Sequence, residues 1–128
     1  MARRTRYHHG NLREALIEAA LGLLDERALS ELSLREVARR AGVSHAAPYR
    51  HFDDREQLLA ALAEHGFAEL EQRLHGADSM AAAARAYHRF ALEHGARFRL
   101  MFDRIALEST SVRRALARAV APLSANEL

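Results

Sequence analysis

The residues best suited to chemistry in this chain concentrate in one short stretch, GVSHAAPYRHF, residues 42–52. Its hydrogen-bonding side chains are Ser44, His45, Tyr49, Arg50 and His51, and two alanines and a proline lie among them. Side chains of these types donate hydrogen bonds to phosphate oxygens and base edges, while small residues permit close approach to a surface. The stretch therefore favours the binding of a polyanion such as a nucleic acid.

Catalytic and metal-ligating patterns do not emerge elsewhere in the sequence. No two of the eight histidines are four residues apart, HExxH is absent, and a chain without cysteine has no thiolate ligands. No nucleophile, base and orienting acid group together, and no glycine-rich phosphate loop occurs. The sequence predicts a protein that is not an enzyme and has neither metal nor cofactor.

Basic residues form two patches in a chain whose formal net charge is only +2. The first basic patch is Arg3, Arg4, Arg6 and Arg13, and the second basic patch is Arg35, Arg39, Arg40 and Arg50. Residues 1–13 contain no acid, and residues 33–52 contain Glu36 alone. Such asymmetry indicates a polyanion at one face, although a solvated helix surface explains the charges equally well.

Composition predicts an all-α protein. The 128 residues are 49% hydrophobic and include only two prolines and six glycines, while alanine, leucine, arginine and glutamate dominate. No apolar run approaches the roughly 20 residues that span a bilayer, so no membrane partner is expected. The absence of cysteine suits a reducing compartment, and we expect a soluble cytoplasmic protein.

Capping residues and apolar periodicity predict the helices that must position residues 42–52. The predicted capping pairs at helix starts are Asn11 with Glu14, Ser33 with Glu36, and Asp54 with Gln57. The second helix should end at Gly42, where glycine adopts a left-handed conformation readily. Ser44 should cap a third helix that has Pro48 at its fourth position, and the fourth helix should run from Asp54 to Leu74.

The second half of the chain predicts further helices after a linker. The predicted segments are a linker at 76–78, a helix at 80–94, a break at Gly95, a short apolar helix through 98–102, and a helix at 112–120 capped by Ser111 and ending before Pro122. These segments are expected to form a second helical domain.

Helix, glycine turn and short helix make a helix-turn-helix arrangement, whose second helix enters the major groove of DNA, about 12 Å wide. His45 is expected at the helix start, which faces base edges, and Ala46 and Ala47 would meet thymine methyl groups. Ser44 and the N–H groups of the first turn would bind a phosphate.

Donors around this helix are expected to contact the sugar-phosphate backbone. Tyr49, Arg50 and His51 would end the helix as donors, although ordinary packing also explains a lone tyrosine or histidine. Arg35 and Arg55, at the starts of the flanking helices, would clamp the same strands. Phe52 is expected to turn inward and fix the next helix.

The stretch LSLREVARRAGVSHAAPYRHFDDREQLLAAL, residues 32–62, resembles the DNA-binding domain of TetR-family transcriptional regulators, and the similarity extends over residues 11–62. Pro48 departs from the family pattern, in which leucine is usual. The resemblance implies DNA contacts from Ser33, Leu34, Arg35, Ser44, His45, Ala46, Ala47, Tyr49, Arg50, His51 and Arg55. It also implies a homodimer on a palindromic operator.

A second resemblance covers AYHRFALEHGARFRLMF, residues 86–102, which is similar to the start of a ligand-binding domain in one branch of that family. It implies a pocket for a small apolar effector, bordered by Phe67, Tyr87, Phe90, Phe98, Met101 and Phe102, unless these residues are plain core. The expected domains are a flexible basic arm at 1–10, a three-helix helix-turn-helix domain at 11–55, and an incomplete helical regulatory and dimerisation domain at 56–128, with helix 54–75 as connector.

These features predict a DNA-binding transcriptional regulator, most simply a repressor that a small apolar ligand releases from its operator. The alternative is a helical protein–protein interaction module without a DNA role. Salt separates the two, because DNA binding weakens steeply as salt rises.

Overall fold

The computed structural model describes residues 11–103 and 107–124, and these form α-helices and short 3₁₀ helices with no β-strand. The α-helices are α1 (Leu12–Glu26), α2 (Leu34–Ala41), α3 (Arg55–His75), α4 (Met80–Glu93), α5 (Gly95–Met101) and α6 (Thr110–Ser124). The 3₁₀ helices are Leu29–Glu31 and Ala47–Arg50. The all-α prediction is confirmed, whereas the predicted basic arm at 1–10 lies outside the described residues.

The chain divides into two compact units between Leu59 and Ala60, slightly beyond the boundary expected after residue 55. Helix α3 crosses this division, with Leu58 in the first unit and Phe67 in the second. Both of these side chains are fully buried. One continuous helix therefore contributes to both hydrophobic cores.

The first unit packs α1 against α2 and closes on Phe52. Leu16 and Ala20 of α1, Val37 and Ala38 of α2, and Phe52 are all buried. Their spacing places the apolar residues of each helix on one face, so the two helices cover each other. The inward orientation predicted for Phe52 is confirmed.

The short helix α2 owes its ends to two local signals. The Ser33 hydroxyl accepts a hydrogen bond from the Glu36 backbone N–H at 3.1 Å, and Gly42 ends the helix with φ 75°. The Glu36 carboxylate does not reach back as a full capping box requires, because it contacts Arg39 at 3.3 Å instead. The predicted start and end of this helix are confirmed.

The other predicted caps hold in part. Asp54 Oδ1 accepts from the Gln57 backbone N–H at 2.9 Å, and Gln57 Oε1 accepts from the Asp53 N–H at 2.9 Å. Asn11 precedes α1 as predicted, but its side chain makes no capping hydrogen bond, so that cap is wrong.

The second unit is built around the later turns of α3. Its core includes Phe67, Leu70 and Leu74 of α3, together with Phe90 and Met101 from α4 and α5. The core of this unit is thus drawn from several helices, each of which contributes one apolar face.

The helices of the second unit begin and end close to the predicted positions. The Ser79 hydroxyl caps α4 by accepting from the Ala82 N–H at 3.0 Å. The break predicted at Gly95 occurs one residue earlier, at His94, whose φ of −131° and ψ of 57° separate α4 from α5, and Gly95 is the first residue of α5.

Helix α6 differs from the prediction of a helix at 112–120. It begins at Thr110 and continues to Ser124, past Pro122. Ser111 does not cap it, because Ser111 lies inside the helix, where its hydroxyl donates to Glu64 Oε2 at 3.0 Å, and the Ser109 hydroxyl accepts from the Val112 N–H at 3.5 Å. Because proline has no N–H, the last turn of α6 lacks one backbone hydrogen bond.

Helices α3 and α5 approach closely at Gly66. A Cβ atom on Gly66 would lie 2.6 Å from Met101 Sδ and 2.8 Å from Met101 Cγ, and Met101 is fully buried. Glycine is therefore needed here for space. Across the described ranges, no helix combines the length and apolar character needed to cross a membrane.

Candidate nucleic-acid interface

The recognition segment, residues 44–51, is a turn followed by a 3₁₀ helix, and not the α-helix capped by Ser44 that the sequence predicts. Its hydrogen bonds join residues three apart, with Ala47 N donating to Ser44 O at 3.0 Å and Tyr49 N donating to Ala46 O at 3.1 Å. Pro48 has no N–H and cannot donate the α-helical bond to Ser44 O. The tighter helix is the physical result of that missing donor.

Exposure divides the recognition segment into an outer and an inner side. Its exposed residues are Ser44, His45, Ala46, Tyr49, Arg50 and His51. Tyr49 is 58% exposed, which is unusual for a large aromatic residue in a packed domain, whereas Ala47 is 7% exposed and Pro48 is also buried. The Ala47 methyl group therefore lies in the core and not on the outer side where the sequence places it.

The three predicted contact residues at the start of α2 differ in their exposure to solvent. Arg35 is exposed, whereas Leu34 is only 6% exposed and belongs to the core. Ser33 is half-buried, with its hydroxyl already accepting the capping bond. Of these three predicted contacts, Arg35 alone presents an exposed side chain, and Leu34 offers at most its backbone.

Ion pairs neutralise half of the second basic patch. Arg40 donates to both Glu26 oxygens, at 2.8 and 2.7 Å, and Arg39 pairs with Glu36 at 3.3 Å. The hydrogen bonds from Arg40 hold the pKa of the Glu26 carboxyl below its ordinary value. Within 11–103 and 107–124, no hydrogen bond or ion pair engages the guanidinium group of Arg35 or that of Arg50.

Within the second basic patch, the positive charge available to an anion is therefore that of Arg35 and Arg50, and the exposed His51 directly follows Arg50 in sequence. Opposite charges that are already paired contribute little to the attraction of a distant polyanion, whereas unpaired guanidinium groups contribute fully.

Arg55 directs its guanidinium group toward the protein. Its Nε donates to Leu32 O and its Nη2 donates to Leu29 O, both at 2.7 Å, and the side chain is half-buried. The sequence assigns Arg55 a phosphate contact, but two of its donor atoms are engaged with these carbonyls.

A cleft of about 630 Å³ lies beside the recognition segment. It is lined by Leu12, Gly42, Val43, Ser44, Ala47, Arg50 and His51. Apolar walls with a hydroxyl, an imidazole and an unpaired guanidinium group suit a sugar-phosphate segment, which presents an apolar sugar face and a charged phosphate.

Arg13 is a cation that the predicted site set omits. Its guanidinium carbon lies 5.6 Å from the centre of the Phe52 ring, a distance typical of a cation–π contact. Because Phe52 directly follows His51, this contact fixes the exposed Arg13 near the end of the recognition segment. The sequence feature that points to Arg13 as a DNA-facing cation is its place in the first basic patch.

The residues predicted to border an effector pocket pack against one another in the second unit. We call Phe67, Tyr87, Phe90, Phe98 and Phe102 the aromatic cluster. Ring centres are 5.3 Å apart for Phe67 and Phe102, 5.1 Å for Phe98 and Phe102, and 5.3 Å for Tyr87 and Phe98.

Burial differs among the rings of this cluster. Phe67, Phe90 and the neighbouring Met101 are fully buried, whereas Tyr87 is 39% and Phe102 38% exposed. The described rings thus form a contiguous apolar body that is partly exposed at Tyr87 and at Phe102, which lies between Phe67 and Phe98. No group of three or more histidine, aspartate or glutamate side chains able to hold a metal ion occurs within the described ranges.

Comparison with known proteins gives one family match. Residues 16–62 match the family described as "Bacterial regulatory proteins, tetR family". The chain is 36% identical over 74 residues to the HTH-type transcriptional regulator AcrR of Shigella flexneri, covering 56% of this chain and 34% of that protein. It is also 36% identical over 61 residues to an HTH-type transcriptional repressor of Mycobacterium tuberculosis, covering 48% and 32%.

Two solved structures are similar over most of the chain. A protein of unknown function from Rhodococcus sp. RHA1 has a TM-score of 0.76 and 40% identity, covering 91% of this chain and 66% of that one. A TetR family transcription regulator from Marinobacter aquaeolei VT8 has a TM-score of 0.57 and 25% identity, covering 88% and 65%. The matches to the two curated relatives span about a third of each relative's length.

Proposed function

Because the chain belongs to the TetR family of bacterial transcriptional regulators, we propose that it binds operator DNA and represses transcription until an apolar ligand releases it. The relatives carry the names of regulators, in agreement with the prediction that the chain is not an enzyme. In this proposal its partner is DNA, and the protein acts in the cytoplasm because bacterial operators lie there.

The observation that carries the DNA-binding proposal is that two exposed arginines of the second basic patch are not neutralised and that the recognition segment exposes a tyrosine. Arg35 and Arg50 have no carboxylate partner among the described residues, and Tyr49 is exposed. We assign these three to phosphates, which position a protein on DNA without reading its sequence. His45 and Ala46 are the exposed residues left to meet base edges.

Two-fold symmetry follows from the usual architecture of such regulators. A homodimer on a palindromic operator would place its recognition segments about 34–36 Å apart, or somewhat more. In the cleft beside each segment, Ser44, Arg50 and His51 would surround a phosphodiester group.

Release by a ligand is supported by the aromatic cluster and by the continuity of α3. An apolar molecule that enters the cluster beside Tyr87 and Phe102, its two partly exposed rings, would contact Phe102, which packs on Phe67. Phe67 lies on the same helix as Arg55. Such a ligand acts only if it prefers one arrangement of the protein, and a coupling of about 1–3 kcal/mol would lower operator affinity roughly 5–150-fold.

The first experiment is selection of a binding site from a random duplex pool, followed by measurement of affinity against salt. Each phosphate contact that is removed should reduce the slope of log K against log[salt] by about 0.9. We therefore expect Arg50→Met to reduce that slope, while Arg39→Met, whose arginine pairs with Glu36, leaves it unchanged.

Two outcomes would contradict the proposal. Wild-type protein that enriches no sequence has no operator-binding role, and the interaction-module alternative then stands. Equal effects of Arg39→Met and Arg50→Met would show that bulk charge, and not the unpaired arginines, accounts for the binding.

A further inference from the structure

Arg55 bridges two parts of the first unit that are far apart in sequence. Its acceptors, Leu32 O and Leu29 O, are 23 and 26 residues away. Both bonds are 2.7 Å long, which is short for N–H···O bonds and typical of a charged donor. Arg55 is the first residue of α3, whereas its acceptors lie in the turn that leads into α2.

The two acceptor carbonyls belong to the short segment that directly precedes α2. Leu29 begins the first 3₁₀ helix, Leu32 is the residue that ends it, and Ser33 then caps α2. Leu29 O already accepts from the Leu32 N–H at 3.1 Å, so the guanidinium group adds a second bond to that carbonyl. Holding these two carbonyls in place therefore also holds the first turn of α2, which contains Arg35 and is capped by Ser33.

We propose that Arg55 is a positioning residue that holds the first turn of α2, and with it Arg35, in the orientation that meets DNA. This inference rests on the proposed DNA-binding function. It differs from a direct phosphate contact, because the Nε and Nη2 donors face protein carbonyls, whereas Arg35 is exposed and has no partner in the described residues. The planar fork of arginine can span both carbonyls, and a lysine ammonium on its flexible stem lacks that geometry.

The test is a double-mutant cycle of Arg55→Met and Arg35→Met, measured as operator affinity at a temperature where all four proteins are folded. If Arg55 acts through Arg35, its replacement weakens binding in the wild-type background but has little further effect once Arg35 is absent. The interaction should be roughly 2- to 150-fold, the range for residues that share partners. The double variant should keep the salt slope of the Arg35→Met single variant.

Additive losses, with a salt slope that falls by about 0.9 for each arginine, would identify Arg55 as a separate phosphate contact and overturn the proposal. Unchanged operator affinity in Arg55→Met would also overturn it. Arg55→Lys keeps the charge and serves if Arg55→Met does not fold. We expect the lysine variant to bind more weakly than wild type, and full recovery by lysine refutes the need for a two-carbonyl fork.

Hydrogen exchange tests the positioning role without DNA. The Val37 N–H bonds to Ser33 O at 3.0 Å in the first turn of α2, whereas the Arg27 N–H bonds to Leu23 O at 2.8 Å at the end of α1. Arg55→Met should accelerate exchange at Val37 far more than at Arg27. Equal acceleration at both would indicate general destabilisation and overturn the inference. If wild type enriches no DNA, the proposed function fails, even where exchange shows that Arg55 holds α2.

Discussion

Replacing Gly66 by alanine adds one methyl group where α3 meets α5. The new Cβ would lie 2.6 Å from Met101 Sδ and 2.8 Å from Met101 Cγ, against an optimal carbon contact of about 3.5–4.0 Å. Met101 is fully buried and cannot swing into solvent. Overpacking of this kind costs about 1–3 kcal/mol.

Alanine also gains about 1 kcal/mol over glycine in a helix interior, so the two effects oppose each other. Subtracting the helix gain from the overpacking cost gives a net loss of roughly 1 kcal/mol in the free energy of unfolding, with limits of about 0 and 2 kcal/mol. The measurement is urea denaturation followed by circular dichroism. The slope of unfolding free energy against urea concentration should be the same for wild type and variant, which shows that the same transition is compared.

Gly22→Ala is the matched control on α1. Its Cβ would lie 2.9 Å from Arg40 Nη2, the end of an exposed side chain that can move away. The loss is at most the exposed ion pair of Arg40 with Glu26, which contributes little, so the helix gain of about 1 kcal/mol should leave stability unchanged or raised.

The reasoning fails if Gly66→Ala stabilises the protein as much as Gly22→Ala does. A second check is the pair Gly66→Ala and Met101→Ala, because removal of the methionine side chain frees the space that the new methyl group needs. Met101→Ala alone should lower the free energy of unfolding by about 2–5 kcal/mol, and this loss should be smaller when Gly66→Ala is already present.

Three further results are expected. His45→Ala should relax preference at one base position of the selected operator by about 1–3 kcal/mol, and an unchanged motif would remove His45 from base reading. Tyr49→Phe should weaken binding to every sequence alike, as titrations against operator and random duplexes can measure, and selective loss on the operator would contradict a phosphate role. The Glu26 pKa is lowered in the folded state, so its contribution to stability is present above the ordinary carboxyl pKa and lost as pH falls through the lowered value. Urea midpoints from neutral to acid pH should show a loss that Glu26→Gln reduces, and identical pH profiles would contradict the assigned pair.

Local signals made the helix ends of the first unit predictable. A serine before α2, a glycine after it and an aspartate before α3 act within four residues of their own position. Capping of this kind is encoded by sequence neighbours and needs no knowledge of the tertiary fold. Asn11 shows the limit, since a suitable residue type at a suitable position does not ensure the side-chain bond.

Contacts between distant residues could not be predicted in the same way. The partners of Arg55 are 23 and 26 residues away, and the Glu26 partner of Arg40 is 14 residues away. Only the fold decides that Arg40 is neutralised while Arg50 is not. Equally, Ala47 is buried while its neighbour Ala46 is exposed, and only the folded 3₁₀ turn decides which of the two faces inward.

The short 3₁₀ turn at residues 47–50 bears on how an operator would be read. A 3₁₀ helix rises about 2.0 Å per residue, so four residues span roughly 8 Å, the length of two or three base steps at about 3.4 Å each. Two of these four residues are buried and the other two are assigned to phosphates, so only His45 and Ala46, just before the turn, would meet base edges, and most of a half-site would have no direct base contact. Discrimination there would fall to the bendability and groove width of the duplex, which proteins sense as the energy of deforming it. Substitutions at flexible pyrimidine–purine steps would then affect affinity even where no side chain reaches.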